Sequence, residues 1–375
     1  MPILDIFRLV GAICVFFVHA HTSYEIKTPL ANYGTQWLTW FFMLSGFVLT
    51  LKYFDTNWGA DNLKKFIINR SIRILPVYII SVIFSSVILM VGLEIWGWKY
   101  FTEVSGRIQM YTFPLPNKID NSCVIENAIS HLLLIQTFIG DKLCGGAFLI
   151  TPPLWSAAIE FWIYLCFPLV ILLSKNLNNK NYISAIIALL IIIDYQLVGI
   201  FIENDKVNSW QDVVWPIHFN PAIRLLEFTL GTLIGRHYIV LKDQKYFIAD
   251  KSIIILLLIT CCWGVILWIN VEYTIAYWLS ATGLPWVLII LYFMIQANNL
   301  IDSKRGVFSN RCAVLSYSLY CVHWCSIELF SLLGMKNYML INYGKWEAII
   351  ACLLFTLFIA NTFVILENKI VRKIK

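Results

Sequence analysis

Stretch after stretch of this chain runs apolar for about the twenty residues that a helix needs to cross a lipid bilayer, and that repetition restricts the fold more than any single motif. Within lipid every backbone N–H and C=O must find its partner inside the protein, so long continuous apolar runs become helices. The spans read from the sequence are Leu4–His21, Gly34–Lys52, Ile74–Leu93, 154–174, 181–202, 217–238, 252–270, 275–296, 313–333 and 347–366. These ten crossings predict an all-α, polytopic integral membrane bundle forming a single domain over residues 1–375. Charged residues make up 13% of the chain, against about a quarter in soluble domains, which excludes an ordinary soluble fold. The span at Ile74 is expected to begin near Pro76, where a first helical turn tolerates proline. Residues 94–127, polar and aromatic with Pro114 and Pro116, read as an outer loop, and 128–140 as a re-entrant or interfacial segment too short to cross.

Charge placement orients the bundle. With the N-terminus inside, the inner segments hold 18 Lys and Arg and the outer segments hold 8, while Arg8 and Arg224 fall within spans. The excess predicts that both termini are cytoplasmic. The net charge of +6 is spread as this rule expects and forms no nucleic-acid patch. The first apolar run lacks a basic flank and carries Asp5, so it reads as mature helix and not as a cleaved signal. Cys123 and Cys144 flank an outer loop region, where an oxidising compartment would let them pair. There is no internal repeat of the kind that marks many transporters.

Ionisable groups inside spans are the places to look for function. In Leu4–His21, Arg8 and His19 are eleven residues apart, so they return to within roughly 20° of one helix face, about 16 Å apart along the axis. One reading makes them a shared functional stripe together with Asp5; the other has Arg8 snorkelling to headgroups and His19 resting at the interface. Arg70 and Arg73 share a face at the inner mouth of the next-but-one span, suited either to phosphates of a donor or to anionic lipid headgroups. Trp155, Ser156 and Glu160 open the span that follows Pro152 and Pro153, at a depth close to His19. Glu160 serves there either as a partner that orients an imidazole base or as a structural counter-ion. Arg224 and Glu227 look like an intrahelical pair, and Gly231 and Gly235 form a GxxxG that marks a close crossing. Tyr317 and His323 lie in the span 313–333 as further candidates for site lining. His131, His218 and His323 each read more simply as packing residues. The His19-x-His21 spacing has no Cys or carboxylate cluster beside it, so no metal is expected.

Taken in order, these segments resemble the membrane-bound acyltransferase family known as acyltransferase family 3. The matching pieces are Leu4-Asp5 with Arg8 and His19, Phe41 to Phe47, Arg70 to Tyr78, Leu154-Trp-Ser156 with Glu160, Ile223 to Phe228 with Gly231, Leu315 to His323, and Glu367 with Arg372. Each motif is short; seven in one order over nearly the whole chain are specific. The resemblance implies an enzyme of the bacterial cytoplasmic (inner) membrane that takes an acyl group, most commonly acetyl, from a cytosolic acyl-CoA. It passes that group to a hydroxyl of a surface glycan or lipid-linked sugar. His19 is then implied as catalytic base or transient acyl carrier, Arg8 as its partner, Arg70 and Arg73 as donor-binding residues, and Glu160 as part of the site. Acetyl-CoA is implied as co-substrate with no tightly bound cofactor, membrane lipids as surroundings, and the family's fused hydrolase-like domain is not expected. A transporter or flippase of a lipid-linked or sugar substrate is the competing reading of the same buried charges.

Overall fold

The computed structural model describes residues 1–24, 34–97, 100, 119–139, 142–144, 149–204, 219–270, 283–301 and 306–374. Most of the outer loop 94–127, the start of the 275–296 span and His218 lie outside these. Twelve α-helices occur among the described residues: α1 Pro2–Tyr24, α2 Gly34–Tyr53, α3 Ala60–Trp96, α4 Asn121–Leu132, α5 Leu154–Ser174, α6 Lys180–Asn204, α7 Pro221–Leu241, α8 Lys251–Asn270, α9 Leu284–Ile301, α10 Val307–Leu332, α11 Met335–Asn342 and α12 Lys345–Ile374. Every segment read as a span overlaps a helix. By length and apolarity five are able to cross a membrane, or six if α10 and α11, bent by 71°, count as one. Helices α8 and α9 contain shorter apolar stretches. The bend after α10 falls at Gly334, whose φ of 73° is open to glycine without the Cβ clash that other residues meet.

Burial runs opposite to that of a soluble protein. Leu169, Leu173, Leu354 and Phe358 are each more than 60% exposed, while Arg224, Glu227 and His323 are fully enclosed. An apolar exterior around ionisable residues is the arrangement that lipid selects.

Two boundaries differ from the sequence reading. Between the spans read as Gly34–Lys52 and Ile74–Leu93, α3 already starts at Ala60 and runs 37 residues, so Lys64, Lys65, Arg70 and Arg73 are helical and Pro76 sits well inside. Charged Lys and Arg are good helix formers, so a helix need not stop where its apolar run does. Instead of an apolar segment beginning at Ala128, α4 starts at Asn121, because the Asp120 carboxylate caps it by accepting from the Ser122 and Cys123 amides. It stops at Leu132, ahead of Leu134, which has a positive φ of 60°.

The chain divides into two compact units. The first comprises residues 1–6, 35–68 and 162–309. Its centre is the crossing of α2 and α7, where Gly46 abuts the Phe228 backbone and Gly231 abuts Met43, as the glycine pair predicted. Arg236 closes the end of α5 by donating to the Ser174 and Leu177 carbonyls at 3.2 and 2.8 Å. The second unit comprises residues 7–34, 69–161 and 310–375. Phe16, Ala20 and Tyr24 of α1, Ile327 and Phe330 of α10, and Ala348, Ile349 and Cys352 of α12 form one of its cores. A disulfide joins Cys123 to Cys144, and the Asn127 side chain donates to the Cys144 carbonyl at 2.6 Å.

Candidate functional site

Most of the residues singled out from the sequence fall in the second unit: Arg8, His19, Arg70, Arg73, Trp155, Ser156, Glu160, Tyr317 and His323. The α-helical register of α1 keeps Arg8 and His19 on one helix, both half-buried. What stands beside His19 was not legible from spacing. The His323 ring of α10 lies 5.1 Å away between centroids, and the Trp324 indole meets the His19 ring edge-on at 5.6 Å. His19, half-buried, is therefore packed against α10 and does not simply point at lipid.

His323 is held from its other side. Its Nδ1 lies 2.7 Å from the Tyr320 carbonyl, which only accepts, so Nδ1 carries the proton. The lone pair of the neutral ring is then on Nε2, a buried atom without a hydrogen-bond partner among the described residues. Tyr320 is fixed in turn: its hydroxyl donates to the Pro153 carbonyl at 2.7 Å, which leaves its oxygen to accept from Ser156. Glu160, half-buried one turn after Ser156, lies within electrostatic reach of Tyr317, Tyr320 and Cys321. Trp155 is buried in the same turn. Thus His19, His323, Tyr320 and Ser156 form one continuous set of contacts, with Glu160 acting on it through space. Tyr320 was not picked out from the sequence, where it reads as one more aromatic in an apolar helix.

The two arginines of α3 have different surroundings. Arg73 donates through Nη2 to the Ala313 carbonyl at 3.0 Å, faces Glu367 at 4.0 Å and lies 5.7 Å from the Tyr317 ring centre. Tyr317 in turn donates to the Ile74 carbonyl at 3.0 Å. Arg73 thereby ties α3 to α10 and α12 while keeping about a third of its side chain exposed. Arg70, one turn earlier, is half-buried.

The remaining candidates, Asp5, Arg224 and Glu227, lie in the first unit. Asp5 is 3.9 Å from the N-terminal ammonium. Arg224 and Glu227 pair at 2.8 Å in full burial, and Thr39 of α2 donates to the same carboxylate at 2.8 Å. The buried Asp194 of α6 interacts electrostatically with both. It was missed, although a signal exists: it is the single charged residue in the apolar run 183–202.

A family model described as an acyltransferase domain matches residues 1–365. The chain is 23% identical to an acyltransferase, MdmB, from Streptomyces mycarofaciens, over 88% of its own length and 79% of that protein's. No solved structure matches it.

Proposed function

The chain belongs to the acyltransferase-domain family, and from that premise we propose that it moves an acetyl group from cytosolic acetyl-CoA to a hydroxyl of a cell-envelope glycan or lipid-linked sugar. The observation that carries the reading is His19, a titratable ring packed against a second imidazole inside helices of membrane-spanning type. Acyl transfer from a thioester to a hydroxyl requires removal of the hydroxyl proton as the carbonyl is attacked. An imidazole answers that need as a base, or by carrying the acyl group itself. In the overall reaction the acceptor oxygen bonds to the acyl carbon, the C–S bond breaks, and the hydroxyl proton ends on the coenzyme thiol.

The proposal places ten helices in the bacterial inner membrane with both termini cytoplasmic. The 18-to-8 charge asymmetry supports that orientation. The Cys123–Cys144 disulfide also supports it, because such a bond persists on the oxidising side. Arg70 and Arg73 are then donor-side groups that pair with the coenzyme phosphates, which would compete with Glu367 for Arg73. Arg8, about 16 Å from His19 along α1, lines the path that the donor arm takes between that end and His19. Glu160 biases the network of Tyr320 and Ser156 around the two histidines.

Substitution His19→Ala tests the reading. It should leave the protein inserted and folded while mass spectrometry of envelope glycans loses the mass step of one acetyl group. Unchanged acetylation would remove His19 from the reaction. Substrate movement without consumption of acetyl-CoA would favour a flippase.

A further inference from the structure

We infer that His323 is the base that delivers the acceptor, and that His19 is the nitrogen that carries the acyl group; this rests on the acyl-transfer reading above. A direct transfer needs one imidazole, whereas here two stand side by side, with ring centres 5.1 Å apart. Their surroundings differ in a way that divides the work. His323 has the geometry of an oriented base: Nδ1–H is spent on the Tyr320 carbonyl at 2.7 Å, and Tyr320 is itself anchored on Pro153 and Ser156. Its tautomer is therefore set, as a carboxylate sets that of a triad histidine. The lone pair is confined to Nε2, and this atom of a fully buried side chain has no donor facing it among the described residues. A buried acceptor without a donor is unfavourable, and a substrate hydroxyl supplies the missing donor. His19 is clamped differently, edge-on to Trp324 and against the His323 ring. That packing steadies the ring as a nucleophile.

The steps balance. A His19 nitrogen attacks the thioester carbonyl, an N–C bond forms, the C–S bond breaks, and the departing thiolate takes the ring proton. An acceptor hydroxyl then gives its proton to His323 Nε2 while its oxygen attacks the acyl carbon. The C–N bond breaks, the ester C–O bond forms, and the proton passes from His323 to the leaving His19 nitrogen. Both rings return to neutrality.

The experiment uses the purified full chain in nanodiscs with radiolabelled acetyl-CoA, together with envelope glycan mass spectrometry in cells. Wild-type protein should release about one equivalent of coenzyme in a first-turnover burst and retain label that neutral hydroxylamine removes. His323→Ala should keep the burst and hold the label at least tenfold longer. Its label should still discharge to hydroxylamine, which needs no base, while glycan acetylation falls by about a hundredfold or more. His323→Gln, of similar size but without a basic nitrogen, should behave alike, and thermal unfolding should show both variants folded. His19→Ala should lose the burst. No labelled wild-type protein, wild-type label lifetime in both His323 variants, or loss of the burst in a folded His323 variant would each overturn the inference. None of these touches the acyltransferase reading, which fails if the wild-type protein moves its substrate without consuming acetyl-CoA and adds no acetyl group to envelope glycans.

Discussion

The crossing of α2 and α7 makes a demanding prediction for Gly231→Ala. A Cβ at this position would overlap the Met43 carbonyl oxygen and lie 2.6 Å from its carbon and 2.8 Å from Met43 Cα, whereas ordinary contact begins at 3.4 Å. All three atoms are backbone, so no rotamer change relieves the clash, and the helices must part by well over 1 Å. A gap of about 0.5–1 Å forfeits a quarter to a half of the dispersion well for each atom pair it separates. The same movement stretches the 2.8 Å hydrogen bond from Thr39 to Glu227, which crosses between these two helices. Overpacking of this kind destabilises by about 1–3 kcal/mol, a factor of about 5 to 150 in the folded-to-unfolded ratio. Equilibrium unfolding in mixed detergent micelles measures it, with Gly59→Ala as control because nothing lies within 4 Å of a Cβ there. A Gly231→Ala protein as stable as the control would refute the close crossing.

Glu227→Ala leaves the Arg224 guanidinium in a fully buried site with its direct ion pair removed. The loss expected in the same unfolding assay is about 3 kcal/mol, at the lower end for a broken buried pair because Asp194 still acts on Arg224. Burial raises the Asp250 carboxyl, but hydrogen bonds from Lys180 and Ser252 outweigh this and bring it down to about 2 from an ordinary 3.8. A lowered folded-state value means that this pair contributes fully above about pH 3.8 and fades as pH falls through about 2. Thermal unfolding of wild type should show a stability loss across that window that Asp250→Asn, already weaker at pH 7, lacks.

What could be read from the sequence follows from how far apart the interacting residues are. Arg224 with Glu227 is an i, i+3 pair, and Gly231 with Gly235 an i, i+4 pair, so helical geometry alone brought each onto one face, and the structure finds them there. Apolar helices were legible because apolarity over a turn-by-turn run is a local property, although among the described residues five or six of them, and not ten, are long and apolar enough to cross a membrane. Contacts between distant segments were not legible. Arg73 is an example: a carbonyl 240 residues away and Glu367 hold it, while no spacing rule pairs those helices. The same holds for His323. Alone in an apolar helix it read as a packing residue, because an imidazole's role depends on what each nitrogen faces. Its Nδ1 faces a carbonyl three residues back, which a helix supplies locally, but its ring faces His19 from a segment more than 300 residues earlier. Two isolated histidines, each ambiguous in its own span, become informative only once α1 and α10 are packed together. The chemistry of a polytopic protein is thus hidden from local reading at the point where its buried polar groups meet.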